Sequence, residues 1–529
     1  MKNLIKAAII ILPVFLAACA TDSTYRDLRD DFTSNQDSAY YQHEIRAQRV
    51  SAEPAEELQP DVYLDEMEQT LMTTRERWQV RAASDDQVRP LAGFAPADFE
   101  EYRKLADSPE LGDRLSEELN LDVLLGLAHE LNPGIKAARS NLQATLEQYP
   151  QAVYLDNILQ QYNAFTKQLN TKVGPQQHKD MMAMTFPFPD TLALKGEVVS
   201  LDAELAERQL EIAIRDALTD MREAYYQYLF VIDAIAINQE NQQLLEQMIE
   251  VAQTKLRTGK AKYNAVIMAQ VELSKLEDAI ITLREQKETY QARINTLLSR
   301  PAEAGLGSPK PVIDLDLAPA FDKLYDIAVE GRQELAQQRL RISRMETMVE
   351  LATRMAYPDP TMGYSYFETG ARLSAGTDQM QPNFMTRRDL PLGQAVQFGQ
   401  RDAYIREVKT KVGAMQKMLD SMADETRNMV KKSHFGLETA KRSIALYQQS
   451  LLPQAKQSLE VASASYRAGD TDFLTFLDAE RTLLRFRLEE QRAWRNYRIS
   501  QAKLDQLAGS KLSRKPFSLP AVQSTSKAE

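Results

Sequence analysis

Apolar residues recur at alternating steps of four and three along two long stretches that contain neither glycine nor proline. The first stretch holds 62 residues between Gly196 and Gly259, and the second runs from Lys260 to Arg300. This spacing is that of a coiled-coil seam. At about 1.5 Å per residue, the first stretch predicts a rod of roughly 90 Å and the second a helix that returns along it. The predicted seam residues are Ile214, Leu218, Met221, Tyr225, Tyr228, Ile232 and Ile235, then Ala269, Leu273, Leu276, Ile280, Leu283, Tyr290, Ile294 and Leu297.

A second copy of this pattern predicts that the chain is a tandem duplication. The segment AHELNPGIKAARSNL (128–142) aligns with AVEGRQELAQQRLRI (328–342) at an offset of 200 residues. The segment LRTGKAKYNAVIMAQVEL (256–273) aligns with YRAGDTDFLTFLDAERTL (466–483) at an offset of 210 residues. We expect each copy to contain a medium helix, an irregular stretch of about forty residues, a long helix, a glycine tip and a returning helix.

The two irregular stretches carry the strand signal. Residues 361–366 alternate larger apolar side chains with small or polar ones, which is typical of a strand that faces lipid on one side. In the first copy the candidate strands are residues 158–165 and 181–188, where the alternation is poorer. The alternative interpretation is that all of these segments are soluble loops with a patch of aromatic residues.

The N-terminus has the features of a secretory signal: two lysines, then an apolar run too short to span a membrane, then small residues. The sequence LAAC, ending at Cys19, is similar to the lipobox at which bacterial lipoproteins are cleaved and acylated. We therefore expect residues 1–18 to be removed and Cys19 to carry acyl chains. Ala20 is not the aspartate that retains such lipoproteins in the inner membrane, which predicts the outer membrane as the destination. The alternative is an ordinary signal peptide with an incidental cysteine.

Composition narrows the function further. Only 19 of 529 residues are glycine while 43% are hydrophobic, so regular structure is expected to fill most of the chain. Lys and Arg total 64 against 75 Asp and Glu, and the net charge of −11 argues against nucleic acid as a partner. One cysteine and four histidines cannot build a Cys/His zinc site, an internal disulfide or an iron–sulfur cluster.

The sequence offers no candidate for catalysis. It contains no nucleophile motif, no phosphate-binding loop and no paired-carboxylate site with supporting residues around it. Its histidines are far apart and do not have the spacing of metal ligands. We therefore expect no enzyme activity, no cofactor and no metal site. Met181, Met182 and Met184 are soft ligands that suit monovalent copper, but packing or a lipid-facing strand is the more common role of methionine.

Three further motifs flank the predicted strands: EQYPQA (147–152), FPFPDTLALKGE (186–197) and YPDPTMGYSY (357–366). In order and spacing, and together with the duplication, the glycine tips and the lipobox, they resemble the TolC-like outer-membrane efflux proteins over residues 121–509. EQYPQA and YPDPTMGYSY are similar to that family's passage from periplasmic helix into membrane strand, and FPFPDTLALKGE to its passage back. The last motif also resembles the heavy-metal efflux branch.

The resemblance implies a mainly α fold with a transmembrane β part. In that family, helical hairpins of three chains form a periplasmic α-barrel, and four strands per chain form a shared 12-stranded outer-membrane β-barrel. Physical reasoning agrees with a homotrimer, because four strands cannot close a barrel and open sheet edges are too costly in lipid. The predicted domains are a signal peptide (1–18), a polar tether or collar (19–118), a first repeat (119–310, strands within about 153–190), a second repeat (311–509, strands within about 358–394) and a polar tail (510–529).

The resemblance also places a narrow periplasmic entrance at the two glycine tips, Gly259 and Gly469. Tyr466 matches a tyrosine of the closed entrance in relatives, and Asp478 falls on one of two positions that form acidic rings there. The other ring position is Thr475, so the charge latch described for relatives is incomplete.

Two neighbouring aspartates, Asp470 and Asp472, restore negative charge close to Asp478. Three chains would place nine carboxylates in a small circle and disfavour anions at the mouth. The alternative is a solvated cluster at a helix start, where acidic residues favour the helix dipole whatever the function.

The predicted function is therefore that of a lipid-anchored outer-membrane channel that extends into the periplasm of a Gram-negative bacterium. It would export passively once its tips contact an adaptor protein coupled to an inner-membrane transporter. One alternative is the same channel in a type I protein secretion system. The second is a periplasmic coiled-coil lipoprotein that acts as a scaffold without a barrel.

Overall fold

The computed structural model describes residues 104–106, 108–148, 180–185, 189–258, 263–354, 361–366 and 397–519. All of them belong to one compact unit of the chain. The predictions for the signal peptide, Cys19, Gly259 and the candidate strand 158–165 lie outside these residues.

The first repeat is built on one very long helix and a shorter helix that returns along it. Its elements are α1 (Leu111–Glu117), β1 (Glu118–Leu119), α2 (Leu121–Leu131), α3 (Pro133–Leu146), β2 (Asp180–Thr185), α4 (Pro189–Arg257) and α5 (Tyr263–Leu297). Helix α4 begins seven residues before the predicted limit at Gly196, because proline is tolerated in a first helical turn and a lone glycine weakens a helix without ending it. With 69 residues it is about 100 Å long.

The second repeat follows the same plan. Its elements, after the short linker strands β3 (Ser308–Pro309) and β4 (Leu315–Leu317), are α6 (Phe321–Gly331), α7 (Gln333–Arg354), β5 (Thr361–Tyr366), α8 (Gln397–Leu446), α9 (Leu452–Ala468), α10 (Phe473–Ala508) and β6 (Arg514–Pro516). Helices α5 and α10, with 35 and 36 residues, are nearly equal in length. The duplication predicted from the sequence is thus visible in the helices.

One difference separates the two long helices. Between α8 and α9 the chain forms a π-helical turn, Tyr447–Leu451, which α4 lacks. Pro453 follows this turn, and a proline cannot donate the backbone hydrogen bond that an uninterrupted α-helix needs. The π turn accommodates the missing bond, so the helical run continues to the second tip.

Strands β2 and β5 join the two repeats. They pair antiparallel, with Asp180 opposite Tyr366 and Thr185 opposite Thr361. One strand of each repeat therefore lies within the range where the sequence predicted strands, and the other predicted strands fall outside the described residues. Two smaller pairs of strands involve the linker between the repeats, which contains β3 and β4. Strand β3 pairs with β1 near the start of the described chain, and β4 pairs with β6 near its end.

The predicted seam forms the core of the hairpin. Ile214, Leu218, Met221, Tyr225 and Tyr228 are all buried. Every predicted seam residue of α5 is buried or half-buried. Two hydrophobic core clusters, one around α4 and one around α10, each contain a tyrosine whose hydroxyl binds the linker between the repeats. The hydroxyl of Tyr225 donates to the carbonyl oxygen of Lys310 at 2.7 Å, and the hydroxyl of Tyr497 donates to the carbonyl oxygen of Leu315 at 3.0 Å.

Both medium helices break at the same place and are tied there in the same way. The first breaks at Asn132, whose amide donates to the carbonyl oxygen of Leu297 at 3.1 Å. The second breaks at Arg332, and the amide of the next residue, Gln333, donates to the carbonyl oxygen of Gly509 at 2.7 Å. In each repeat, therefore, a side-chain amide at the break binds the end of the returning helix.

The ends of the two returning helices also share a left-handed residue. Ser299 has φ 57° and Gly509 has φ 72°, and they are 210 positions apart, which is the repeat offset at the tips. At Gly509 the space is closed as well, because a Cβ atom would lie 2.0 Å from the carbonyl oxygen of Gly331. Only glycine fits there, whereas Ser299 holds a conformation that disfavours any L side chain.

A buried ion pair links the long helix of the first repeat to the medium helix of the second. The guanidinium of Arg215, which is 1% exposed, donates to both carboxylate oxygens of Glu334 at 2.7 Å. Burial opposes ionisation of Glu334, but hydrogen bonds from Arg215 and Arg332 outweigh it and lower the pKa of Glu334 to about 2.

Replacing Ser299 by glycine is expected to stabilise the protein by about 1 kcal/mol, because it relieves the left-handed strain. Gly509→Ala, its counterpart, is expected to destabilise by more than that amount, since the added methyl group meets backbone. Urea unfolding followed by circular dichroism measures both. A Ser299→Gly variant less stable than the parent would contradict the assignment of strain.

Glu334→Gln should remove a pH-dependent part of the stability. A carboxyl whose pKa is lowered on folding stabilises above its unfolded pKa of about 4.3, and that contribution disappears as the pH falls toward 2. We expect the variant to be less stable by about 3 kcal/mol at pH 7 and the difference to shrink between pH 4.5 and 2. Glu407→Gln, which breaks the exposed pair with Lys411, is the control and should change the stability little at any pH. Equal, pH-independent effects of both variants would contradict the role of Glu334.

Candidate functional site

The ends of four helices meet at the tip of the two hairpins, around an aromatic cluster. Tyr466, at the end of α9, packs edge-on against Phe473 at 5.2 Å and stacks with Phe476 at 6.5 Å between ring centroids. Leu245 and Met248 of α4 close the cluster from the first repeat. All five side chains are buried, so the tips are packed together through side chains of both repeats.

The chain turns at Gly469 after α9. Its φ of 100° is left-handed, and its N–H donates to the carbonyl oxygen of Ser465 at 2.9 Å. This is the usual glycine cap at a helix end. The next helix then begins at Asp472, whose carboxylate accepts from the N–H of Thr475 at 3.0 Å and from its hydroxyl at 2.8 Å.

Asp472 therefore acts as an N-cap. The hydrogen bonds from Thr475 lower the pKa of Asp472, which is fully exposed. An N-cap bond of this kind stabilises a helix start. The alternative weighed for this residue, a helix-start role, is present in the structure.

Lys255 joins the two tips within one chain. It lies in the last turn of α4, donates a hydrogen bond to the carbonyl oxygen of Tyr466, and places its ammonium 4.6 Å from the centre of the Tyr466 ring. A cation over an aromatic face is attracted to it. The hydroxyl of Tyr466 is buried and has no hydrogen-bond partner among the described residues.

Next to the aromatic cluster, α10 makes polar contacts with both helices of the first repeat. Arg481 binds Glu272 of α5, and Glu480 accepts from Asn241 of α4. The hydrogen bond from Arg481 lowers the pKa of Glu272 against the effect of burial. Burial raises the pKa of Glu480, which is 1% exposed, against the hydrogen bond from Asn241.

The structure separates the predicted gate residues into two groups. Asp470, Asp472 and Asp478 are exposed on the tip, and the carboxylate of Asp478 lies 3.8 Å from the guanidinium of Arg481. Tyr466 lies in the aromatic cluster instead. The sequence reasoning missed Lys255 and Arg481, because nothing in a local pattern says which residue 211 positions away a lysine will face.

No group of three or more His, Cys, Asp or Glu side chains in the described part of the chain is placed to hold a metal ion. Within the same residues, no helix combines the length and apolar character needed to cross a bilayer.

Comparison with known proteins finds similarity to outer membrane efflux proteins. The sequence profile of the family described as outer membrane efflux protein matches residues 324–510, which is most of the second repeat. The cobalt-zinc-cadmium resistance protein CzcC of Cupriavidus metallidurans is 22% identical over 372 residues, which are 70% of this chain and 85% of CzcC.

The fold is similar to that of solved outer-membrane channels. The outer-membrane channel OprN superposes with a TM-score of 0.53 at 15% identity over 80% of this chain and 97% of its own. CusC superposes with a TM-score of 0.56 at 12% identity over 80% and 98%. The outer membrane protein VceC from Vibrio cholerae gives 0.55 at 14% identity over 77% and 100%. The resemblance predicted from the motifs is confirmed, and the mainly helical fold is that of these channels.

Lys255→Gln should loosen the tip without unfolding the chain. It removes a cation–π contact worth about 0.5–1 kcal/mol. We therefore expect amide hydrogen exchange near residues 251–258 and 463–469 to accelerate about three- to fivefold, while the centre of α4 is unchanged. Lys417→Gln, which alters an exposed side chain on α8, is the matched control. Unchanged exchange at both tips would contradict the link.

Proposed function

We propose that this chain, whose second repeat matches the outer membrane efflux protein family, is one protomer of a trimeric export channel of a tripartite efflux system. The channel would be a passive conduit from the periplasm and an inner-membrane pump to the outside. Its tips would open on contact with a periplasmic adaptor protein. The observation that carries the proposal is a pair of tip-packed helical hairpins about 100 Å long, with paired strands at the opposite end of the long helices.

The trimer follows from what one chain leaves unfinished. Among the described residues, strands β2 and β5 pair with each other, and four strands per chain would still leave two open edges. Open edges are too costly in hydrocarbon, so only a closed barrel can span it. Three chains with four strands each would close a 12-stranded barrel in the outer membrane, and acylated Cys19 would anchor each chain beside it.

The tip is the proposed gate. Gly259 and Gly469 would turn the two hairpins at its narrow end, and Asp470, Asp472 and Asp478 would surround the mouth with negative charge. Tyr466 would hold the closed state from the aromatic cluster. An adaptor can open such a gate only if it binds the open state better than the closed one.

Cations are the proposed substrate class. Carboxylates exposed around a narrow mouth favour cations over anions. The similarity to CzcC, a cobalt-zinc-cadmium resistance protein, supports divalent metal ions within that class. The test is a deletion strain challenged with cobalt, zinc and cadmium salts and, separately, with drugs. Sensitivity to drugs alone would contradict metal export.

Asp478→Asn should reduce the preference of the pore for cations. Losing one carboxylate per chain removes three of the proposed nine from the mouth, so the reversal potential in a salt gradient should move toward zero. Planar-bilayer recording of the purified protein measures this. Asp420→Asn on α8, which also removes an exposed carboxylate, is the control. An unchanged reversal potential in the Asp478 variant would remove this residue from the gate, and absence of conductance in the parent would refute the channel.

A further inference from the structure

A carboxyl group lies in the buried contact between the two hairpins, next to the aromatic cluster. Glu480 follows Phe476 and Leu477 on α10 by four and three positions, so the three side chains share one face of that helix. Phe476 and Leu477 pack there against apolar side chains of α4 and α5. Glu480 is 1% exposed, so an ionisable group occupies a position whose neighbouring helical turn is apolar.

The two oxygens of this carboxyl are unequally bonded. Oε1 accepts a hydrogen bond from the side-chain amide of Asn241 on α4, whereas Oε2 is buried and has no hydrogen-bond partner among the described residues. An ionised carboxylate can only accept, and burying its charge is unfavourable unless donors or a counter-charge surround it. A protonated carboxyl carries no charge and needs no donor at the oxygen that holds the proton. The site therefore suits the neutral acid better than the carboxylate.

Two charged side chains act on Glu480 from close range, and their effects oppose each other. Glu272 of α5 disfavours its ionisation, and Arg481, the next residue on α10, favours it. Arg481 also binds Glu272 and lies 3.8 Å from Asp478, so its charge is shared among several carboxylates. Burial is the largest effect and, with the charge of Glu272, it raises the pKa of Glu480.

The other charged residues on the surrounding helices are exposed. On α4, Glu240 pairs with Arg487 at 2.7 Å, and 62% of the Glu240 side chain is exposed. Lys275 of α5 is exposed, as are Lys456 and Glu460 on α9. Water and salt screen these groups, so they offset the burial of Glu480 only weakly.

We propose that Glu480 is a proton-dependent latch between the two hairpins: it is protonated while α10 packs against α4, and it ionises when the helices separate and water reaches it. Separation releases one proton per chain to the solvent. The packing of the two hairpins is therefore tightest at acidic pH and weakens as the pH rises. This inference concerns contacts within one chain and does not depend on transport. Its consequence for the proposed gate, easier opening at alkaline pH, is the one part that rests on the proposed function.

The sign and the pH range follow from the two carboxyls. A carboxyl whose pKa is raised by packing stabilises the packed state below its ordinary pKa of about 4.3 and loses this effect as the pH rises through the raised value. The hydrogen bond from Arg481 lowers the pKa of Glu272, so Glu272 stays ionised over that range. Between about pH 6 and 8, therefore, the latch depends on Glu480 and not on Glu272.

The protonation itself is tested by infrared spectroscopy of the full chain in detergent. We expect the C=O stretch of a protonated carboxyl to be present in the parent at about pH 6, well above the ordinary pKa of Glu, and to be absent from Glu480→Gln. The band should disappear from the parent in one step as the pH is raised. Identical carboxyl bands in the parent and in Glu480→Gln at about pH 6 would overturn the proposal.

The effect on packing is tested by amide hydrogen exchange in residues 241–248 and 476–484, with rates corrected for the intrinsic effect of pH. Protection in the parent should fall at least threefold between about pH 6 and 8. Glu480→Gln keeps the shape of the side chain without a titratable group, so its protection should be the same at both pH values and at least equal to that of the parent at pH 8.

Glu460→Gln is the matched control, because it removes an exposed carboxylate from the neighbouring helix α9. Its protection should fall with pH as in the parent. Three results would each refute the latch: protection in the parent that does not change with pH, a pH-dependent fall that persists in Glu480→Gln, or weaker protection in Glu480→Gln than in the parent at pH 8.

Discussion

A helix of 69 residues must bury an apolar face along about 100 Å, and none of the described helices that pack against it is long enough to cover it alone. Helix α4 therefore packs against several shorter helices in succession: α2 and α3 toward one end, α5 along its return, and α7 and α10 of the second repeat. The rest of the architecture follows from this constraint. The shorter helices have to end and be capped at defined positions along α4, and helices of the second repeat are needed to bury the rest of its apolar face.

The two repeats meet this requirement with shared devices and with differences. They share the break in the medium helix, the side-chain amide that binds the returning helix, and the left-handed residue at its end. They differ in the π turn before α9, which the first repeat lacks. They also differ in the bidentate ion pair between Arg215 and Glu334, because the residue of the first repeat that aligns with Glu334, at an offset of 200, is Gly134. Duplication thus supplied the frame, and later divergence adapted each copy to its own neighbours.

The tips illustrate the same divergence. Tyr263 and Phe473 align in sequence, yet Tyr263 is 65% exposed and Phe473 is 3% exposed. The aromatic cluster takes Leu245 and Met248 from α4 and Val266 and Ala269 from α5, whereas Tyr263 at the start of α5 lies outside it. The exposed aspartates and the buried Tyr466 therefore belong to two layers of the proposed gate, an outer charged one and an inner packed one.

The sequence by itself determined the long helices, their seam, the duplication and the turn at Gly469, because helical periodicity, the scarcity of glycine and proline, and left-handed caps are properties of neighbouring residues. Only the tertiary structure decided the pairing of Lys255 with Tyr466 and of Arg215 with Glu334. Those contacts join residues far apart in sequence, and the side chains that meet depend on how the helices are aligned against each other, which no local pattern specifies.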